Sequence, residues 1–148
     1  AWPLGRLWRL MTGRRNRAQR CLRLTGFEFE EYMAQVLRDN GFRHVEVTVE
    51  CGDQGVDILA VRGGKTYAIQ CKNYAGAVGN AAVQEAYAGA EYYGCDVPAV
   101  VCPTMFTASA RELAESTGVE LWDGERLSHM MRVSGRRPHH DPRRDDEL

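Results

Sequence analysis

Lysine is nearly absent from this chain. Of 19 basic residues in 148, only Lys65 and Lys72 are lysines and the other 17 are arginines. A lysine inside an apolar strand is therefore out of character and asks for a reason. Cysteine is sparse and unpatterned: Cys21, Cys51, Cys71, Cys95 and Cys102 are odd in number, scattered, and never form CxxC. That argues against a disulfide framework or a zinc knuckle and for a reducing compartment, the cytoplasm. No stretch approaches the ~18 uninterrupted apolar residues that a membrane helix needs. Arginines interrupt the apolar positions near the start, which excludes a secretory signal. No internal repeat is visible. The chain opens on Ala1 rather than Met, as a fragment of a longer protein would.

Acid is missing from one end. Residues 1–23 hold seven arginines and neither Asp nor Glu. The remainder carries 12 basic and 20 acidic side chains, so a basic arm (1–24) precedes an acidic body. Such an arm suits a polyanion, either a phosphate backbone or anionic lipid, or is simply a solvated linker. Trp2, Leu4, Leu7, Trp8 and Met11 recur among the arginines in a roughly helical rhythm, which would also suit a helix lying on a membrane surface. The body, with 44% apolar and 26% charged residues overall, has the make-up of one globular domain.

Within it, "LTGFEFEEYMAQVLRDNGF" predicts a helix. Thr25 and Glu28 stand at capping-box spacing, Phe29, Met33, Val36 and Leu37 form one apolar face, and Gly41 ends the run. "HVEVTVE" (44–50) alternates and predicts a half-buried strand. "GVDILAVRGGKTYAIQCK" predicts a hairpin. Next come an Ala-rich helix closed by Gly94, a short strand "VPAVVCP", a capped helix "TASARELAESTG", a strand "VELWD" and a last helix "GERLSHMMRV". From Ser134 onward apolar periodicity is lost, and residues 134–148 are expected to be a disordered tail in which His139 and His140 are solvated. This order predicts an α/β domain over 25–133: a three-layer α/β/α fold with a central mixed sheet of about five strands, the first three antiparallel.

The hairpin poses the central question, because Asp57, Gln70 and Lys72 sit in strands that otherwise look built for burial. If Gly63-Gly64 is a two-residue turn, facing residues have numbers summing to 127, and Asp57 faces Gln70 on one side of the pair. Lys72 shares that face, Ile69 and Cys71 point the other way, and Gly55 opposite Lys72 leaves room beside it. Read from the residues alone, the trio is either a structural Asp–Lys pair or a site. Gln70 favours a site, since a plain ion pair needs no extra oxygen. A carboxylate and an amide oxygen are hard ligands suited to Mg²⁺ or Mn²⁺, and a neighbouring ammonium suits phosphodiester hydrolysis.

At these residues the sequence also resembles a known family. The first-helix "FE", "GDQGVDI", "YAIQCK", "VQEAYAGA" and "FTASARELAESTGVELWDGERL" together resemble the catalytic domain of Mrr-type restriction endonucleases, of the PD-(D/E)xK nuclease superfamily. The resemblance covers about residues 25–131. It implies a metal-dependent DNA endonuclease in which Asp57 is the metal-binding aspartate, Gln70 replaces the usual acid, Lys72 is the motif lysine and Glu30 reaches in from the first helix. Gln84 stands where the family often has a helix glutamine, and Gln54 and Gly55 fit its DxGxD loop. Restriction or DNA defence is the expected role. A catalytically idle DNA-binding module and a repair or junction-resolving nuclease remain alternatives. A homodimer, and an upstream segment that reads DNA or tethers the chain to a membrane, are further expectations.

Overall fold

A computed structural model describes residues 17–48 and 55–147 of the chain. Helix α1 (Gly26–Asp39) starts as its sequence dictates: the Thr25 hydroxyl accepts from the Glu28 N–H at 3.1 Å, and the Glu28 carboxylate accepts from the Thr25 N–H at 2.9 Å. Strands β1 (Arg43–Val47), β2 (Ile58–Arg62) and β3 (Lys65–Cys71) follow, then α2 (Asn80–Tyr93), β4 (Val97–Val101), α3 (Ala108–Thr117), β5 (Glu120–Trp122) and α4 (Gly124–Ser134). Residues 49–50, the end of the expected first strand, lie outside the described residues.

The strands form one sheet in the order β1-β2-β3-β4-β5. The first three pair antiparallel, and β3, β4 and β5 pair parallel through intervening helices. Gly63 and Gly64 both have positive φ, 58° and 76°, which two-residue hairpin turns require and which residues with a Cβ resist. The pairing that results is the one expected, from Arg62↔Lys65 to Ile58↔Ile69.

Helices cover both faces. On one, α1 and α4 bury Phe29, Met33, Leu37, Leu127 and Met131 against Ile58, Ile69, Val101 and Trp122. On the other, α2 and α3 bury Val83, Ala86 and Ala110 against Val100 and Cys102. The three-layer α/β/α arrangement with a mixed five-stranded sheet is thus present.

Both ends differ from expectation. Residues 17–23 are helical, and Ala18, Cys21 and Leu24 are buried in the α1–α4 layer, so the last part of the basic arm packs with the domain; residues 1–16 lie outside the described residues. The tail, expected to be structureless, folds back on α1 instead. The buried Glu28 carboxylate accepts from the Asp141 N–H at 2.9 Å and meets His140 Nδ1 at 2.8 Å, and Arg144 reaches Glu31 at 3.2 Å. Pro142–Glu147 then form a 3-10 turn. A polar composition gave no apolar stripe to read, yet one buried carboxylate with several donors is enough to hold the segment.

Two shifts set the pH range of this clasp. Hydrogen bonds from Asp141, Thr25 and His140 lower Glu28 to about 2, from 4.5. Glu28 in turn raises His140 above 6.5. Glu28 therefore contributes above pH 4.5 and is lost as pH falls toward 2, whereas His140 contributes fully below pH 6.5 and is lost as pH rises through its raised value. Proteolytic clipping after residue 134 should be slowest between about pH 4.5 and 6.5 and should accelerate toward pH 9. In His140→Ala the alkaline acceleration should vanish.

Candidate active site

The site lies where β2 and β3 part. Their ladder holds to Ile58↔Ile69 and then slips by one residue: the Asp57 N–H donates to Ile69 O at 2.9 Å. Val56 and Leu59, three apart, pack in the same layer, as strict alternation would forbid. At the slip the Asp57 carboxylate accepts from the Cys71 N–H at 2.7 Å, taking a backbone donor at the end of the β2–β3 ladder.

Glu30, on the first turns of α1, meets Asp57 there. Burial first, then the Asp57 charge and a hydrogen bond between the two carboxyls, push Glu30 up to about 7. Two carboxylates so close share a proton more easily than they both ionise. The Cys71 thiol is pushed well above its ordinary value by burial and by these same two acids. Glu28 and Glu31, its neighbours in sequence, are instead engaged with the tail. Of the three glutamates, Glu30 alone joins Asp57.

Gln70 and Lys72 meet a residue that the sequence reading missed. The Gln70 amide nitrogen donates to Glu85 Oε2 at 2.5 Å, and Lys72 Nζ donates to the same oxygen at 3.2 Å. Burial opposes the Lys72 charge most strongly, but Glu85 and then Tyr74 together outweigh it and hold the ammonium above the usual lysine range. The direct Asp57–Gln70 facing pair expected from the register does not form as drawn, because the slip turns Asp57 toward Cys71 N and Glu30. The two groups sit one backbone step apart instead.

Gln84 is exposed and makes no hydrogen bond with the site; its neighbour Glu85 does the reaching. The signal was available. At ~100° per residue, Glu85 lies ~100° from the centre of the Ala82–Val83–Ala86–Gly89–Ala90 stripe, and Gln84 ~160°. Gly55 has φ 68°, and a Cβ on it would come within 2.8 Å of the Glu85 carbonyl oxygen, so the loop before Asp57 lies directly under this part of α2. Gln54 lies outside the described residues.

Gln70 is 5% exposed, and its Oε1 is buried without a hydrogen-bond partner. An orphaned amide oxygen is costly unless something else satisfies it. With the Asp57 and Glu30 carboxylates it makes a set of hard oxygen donors whose chemistry fits a divalent cation. Among the described residues no group of three or more His, Cys, Asp or Glu side chains is arranged to hold a metal. A cavity of about 650 Å³ between Phe42, Arg62, Asp123 and His129 lies elsewhere and contains none of these groups.

Fold and site together define the class: a restriction-endonuclease-like α/β/α domain. Among solved structures, the DNA modification-dependent restriction endonuclease AspBHI is similar with TM-score 0.62 and 18% identity, over 84% of this chain and 36% of that one. A protein described as of unknown function, AF1548, is similar with TM-score 0.63 and 23% identity, over 74% of this chain and 66% of that one. The chain thus spans less than two thirds of either structure. Comparison with curated proteins gives no match. A family model described as restriction endonuclease, the Mrr catalytic domain, matches residues 21–131, and the chain belongs to that family. Among the described residues no helix is long and apolar enough to cross a membrane.

The raised Glu30 has a stability consequence. Its charged form is disfavoured in the fold, so the cost is absent below pH 4.5 and fully present above about pH 7. Glu30→Gln should raise the melting temperature at pH 8 by about 3 °C, the effect being discounted for partial exposure, and should leave it unchanged at pH 4. A thermal melt at both values checks this. Gly55→Ala, forced into positive φ against the Glu85 carbonyl, should cost about 2 kcal/mol in chemical denaturation.

Proposed function

We propose that this domain is a metal-dependent endodeoxyribonuclease of the restriction type, hydrolysing phosphodiester bonds of DNA. The observation that carries the reading is the Asp57–Glu30 carboxyl pair at the Cys71 N–H, with Gln70, whose Oε1 is partnerless, and Lys72 flanking Cys71 in sequence, in a chain of this family. Asp57, Gln70 and Glu30, the last directly or through water, are the residues that would hold Mg²⁺, and the same oxygens suit Mn²⁺. When bound, such an ion polarises the phosphoryl oxygen and makes its water more acidic.

The chain's own residues do the rest. The Cys71 N–H fixes one Asp57 oxygen. Glu85 holds Lys72 charged and in place, so Lys72 acts as a cation that orients the attacking water and steadies charge building on phosphorus, rather than as a base. A neutral Gln70 in place of an acid leaves the pocket less negative, which weakens cation binding and eases approach of a phosphate.

Supercoiled plasmid incubated with and without Mg²⁺ tests this. The wild-type chain should nick or linearise it only with the metal. Asp57→Ala and Lys72→Ala should each lower the rate at least ~100-fold, with melting curves close to wild type. Metal-dependent cutting retained by both variants would reject the assignment. The second reading, an idle DNA-binding module, has in its favour that Glu85 occupies both Gln70 and Lys72; retardation of the plasmid without nicking under all metal conditions would establish it.

A further inference from the structure

The two chain ends build a second feature that the chemistry above does not use. The helical turn at residues 17–23 and the segment 132–140 lie side by side, and between them run two adjoining hollows of about 550 and 210 Å³. The larger is lined by Arg20, Arg23, Arg137 and His139, and the smaller by Arg17, Arg20, Arg132 and Arg137. Arg20 and Arg137 belong to both, so the hollows form one continuous trough. Among the described residues no carboxylate lines either hollow. Arg17, Arg20, Arg23, Arg132 and Arg137 make no ion pair among the described residues, whereas Arg136 and Arg144 are tied to Asp39 and Glu31. In a chain whose net charge is −1, five unpaired guanidinium groups concentrated in one concave strip are not a balanced surface. They repel one another, and a polyanion relieves that repulsion.

The trough leads to the site. Leu24, on its wall, and Cys21 present carbonyl oxygens that accept from the Asn73 side-chain amide at 3.0 and 2.9 Å. Asn73 directly follows Lys72. At the far wall, His140 and Asp141 are clasped to Glu28, two residues from Glu30. The strip therefore adjoins, through Asn73 and through Glu28, the two segments that carry Lys72 and Glu30.

We propose that this arginine trough is the track for the DNA backbone, with Arg20, Arg23 and Arg137 gripping phosphates that flank the one being cut. The choice of DNA as the polyanion rests on the nuclease reading; the trough and its charge do not. Guanidinium forks suit phosphate oxygens better than ammonium groups do, which accords with arginine lining the track and lysine standing at the site. Contacts of this kind fix position and carry no base sequence.

The test is equilibrium binding of a 20-base-pair duplex of arbitrary sequence, followed by fluorescence anisotropy in EDTA over a range of salt. It compares the full chain, its Arg20→Gln/Arg23→Gln/Arg137→Gln variant, and Lys72→Ala. Each lost phosphate contact lowers the slope of log K against log salt by ~0.9. The triple variant should therefore lose about 2.7 from the slope and bind at least ten-fold more weakly in low salt, while Lys72→Ala changes the slope by about one or less. Should the triple variant melt early, Arg23→Gln/Arg137→Gln, both at exposed positions, should lose about 1.8. An unchanged slope overturns the trough. So does loss of binding to phosphatidylserine vesicles in the variant while duplex binding stays intact, which would make the strip a membrane contact. Plasmid cutting in Mg²⁺ separates the two claims. A wild-type chain that never cuts but loses duplex affinity in the triple variant sinks the nuclease reading and keeps the trough. Wild-type cutting with variant binding unaltered does the reverse.

Discussion

One hydrogen bond organises this protein, the 2.7 Å contact in which the Asp57 carboxylate takes the Cys71 N–H. Without it, that backbone donor would continue the β2–β3 ladder or be left unsatisfied. With a side chain in its place, β2 and β3 separate at that level, while β3 remains fixed to β4 through the Lys72 N–H on Val101 O at 2.9 Å. A wedge opens at the end of a strand that cannot itself move. Helices from opposite faces of the sheet then reach the same strand end, α1 with Glu30 and α2 with Glu85. The slip at Asp57 stands at this strand end, where α1 brings Glu30 to Asp57 and α2 brings Glu85 to Gln70 and Lys72.

Much of the fold was legible because its signals are local. Thr25 and Glu28 announced α1 by their spacing, and Gly63-Gly64 set the hairpin register for all five pairs from Arg62↔Lys65 to Ile58↔Ile69. The slip was not legible, since nothing in "GVDIL" breaks the alternation. Its cause is tertiary: a carboxylate reaching a neighbouring strand's backbone and a helix glutamate arriving from outside the hairpin. Glu30 was found through the family resemblance, and geometry then separated it from Glu28 and Glu31, which are indistinguishable by type. Glu85 was within reach of helix periodicity, whereas Gln84, the neighbour that the family resemblance points to, lies farther from the buried stripe and is exposed. The tail was misread for a different reason. Low apolar content argues against a core, and this segment builds none; it is held by hydrogen bonds and ion pairs to the buried Glu28 and to Glu31, Tyr32 and Asp39.

The division of the basic residues follows the same physics. Among the described residues the arginines lie on outer surfaces, some closing ion pairs and others lining the trough between the chain ends. Of the two lysines, Lys65 sits exposed at the hairpin turn and Lys72 stands at the wedge. A compact ammonium on a flexible stem fits a narrow opening and can be aimed by one carboxylate, where a planar guanidinium would fill it.

The clasp on Glu28 has a topological corollary. Because residues 17–24 and 137–140 border the same hollow, the polypeptide enters and leaves the domain at neighbouring points. Such a unit can be spliced into a surface loop of another protein with little distortion of either host or guest, or re-cut to start elsewhere with a short bridge across the old ends. The hairpin tip at Gly63-Gly64, exposed and remote from the wedge, is the natural place to open such a circular permutant.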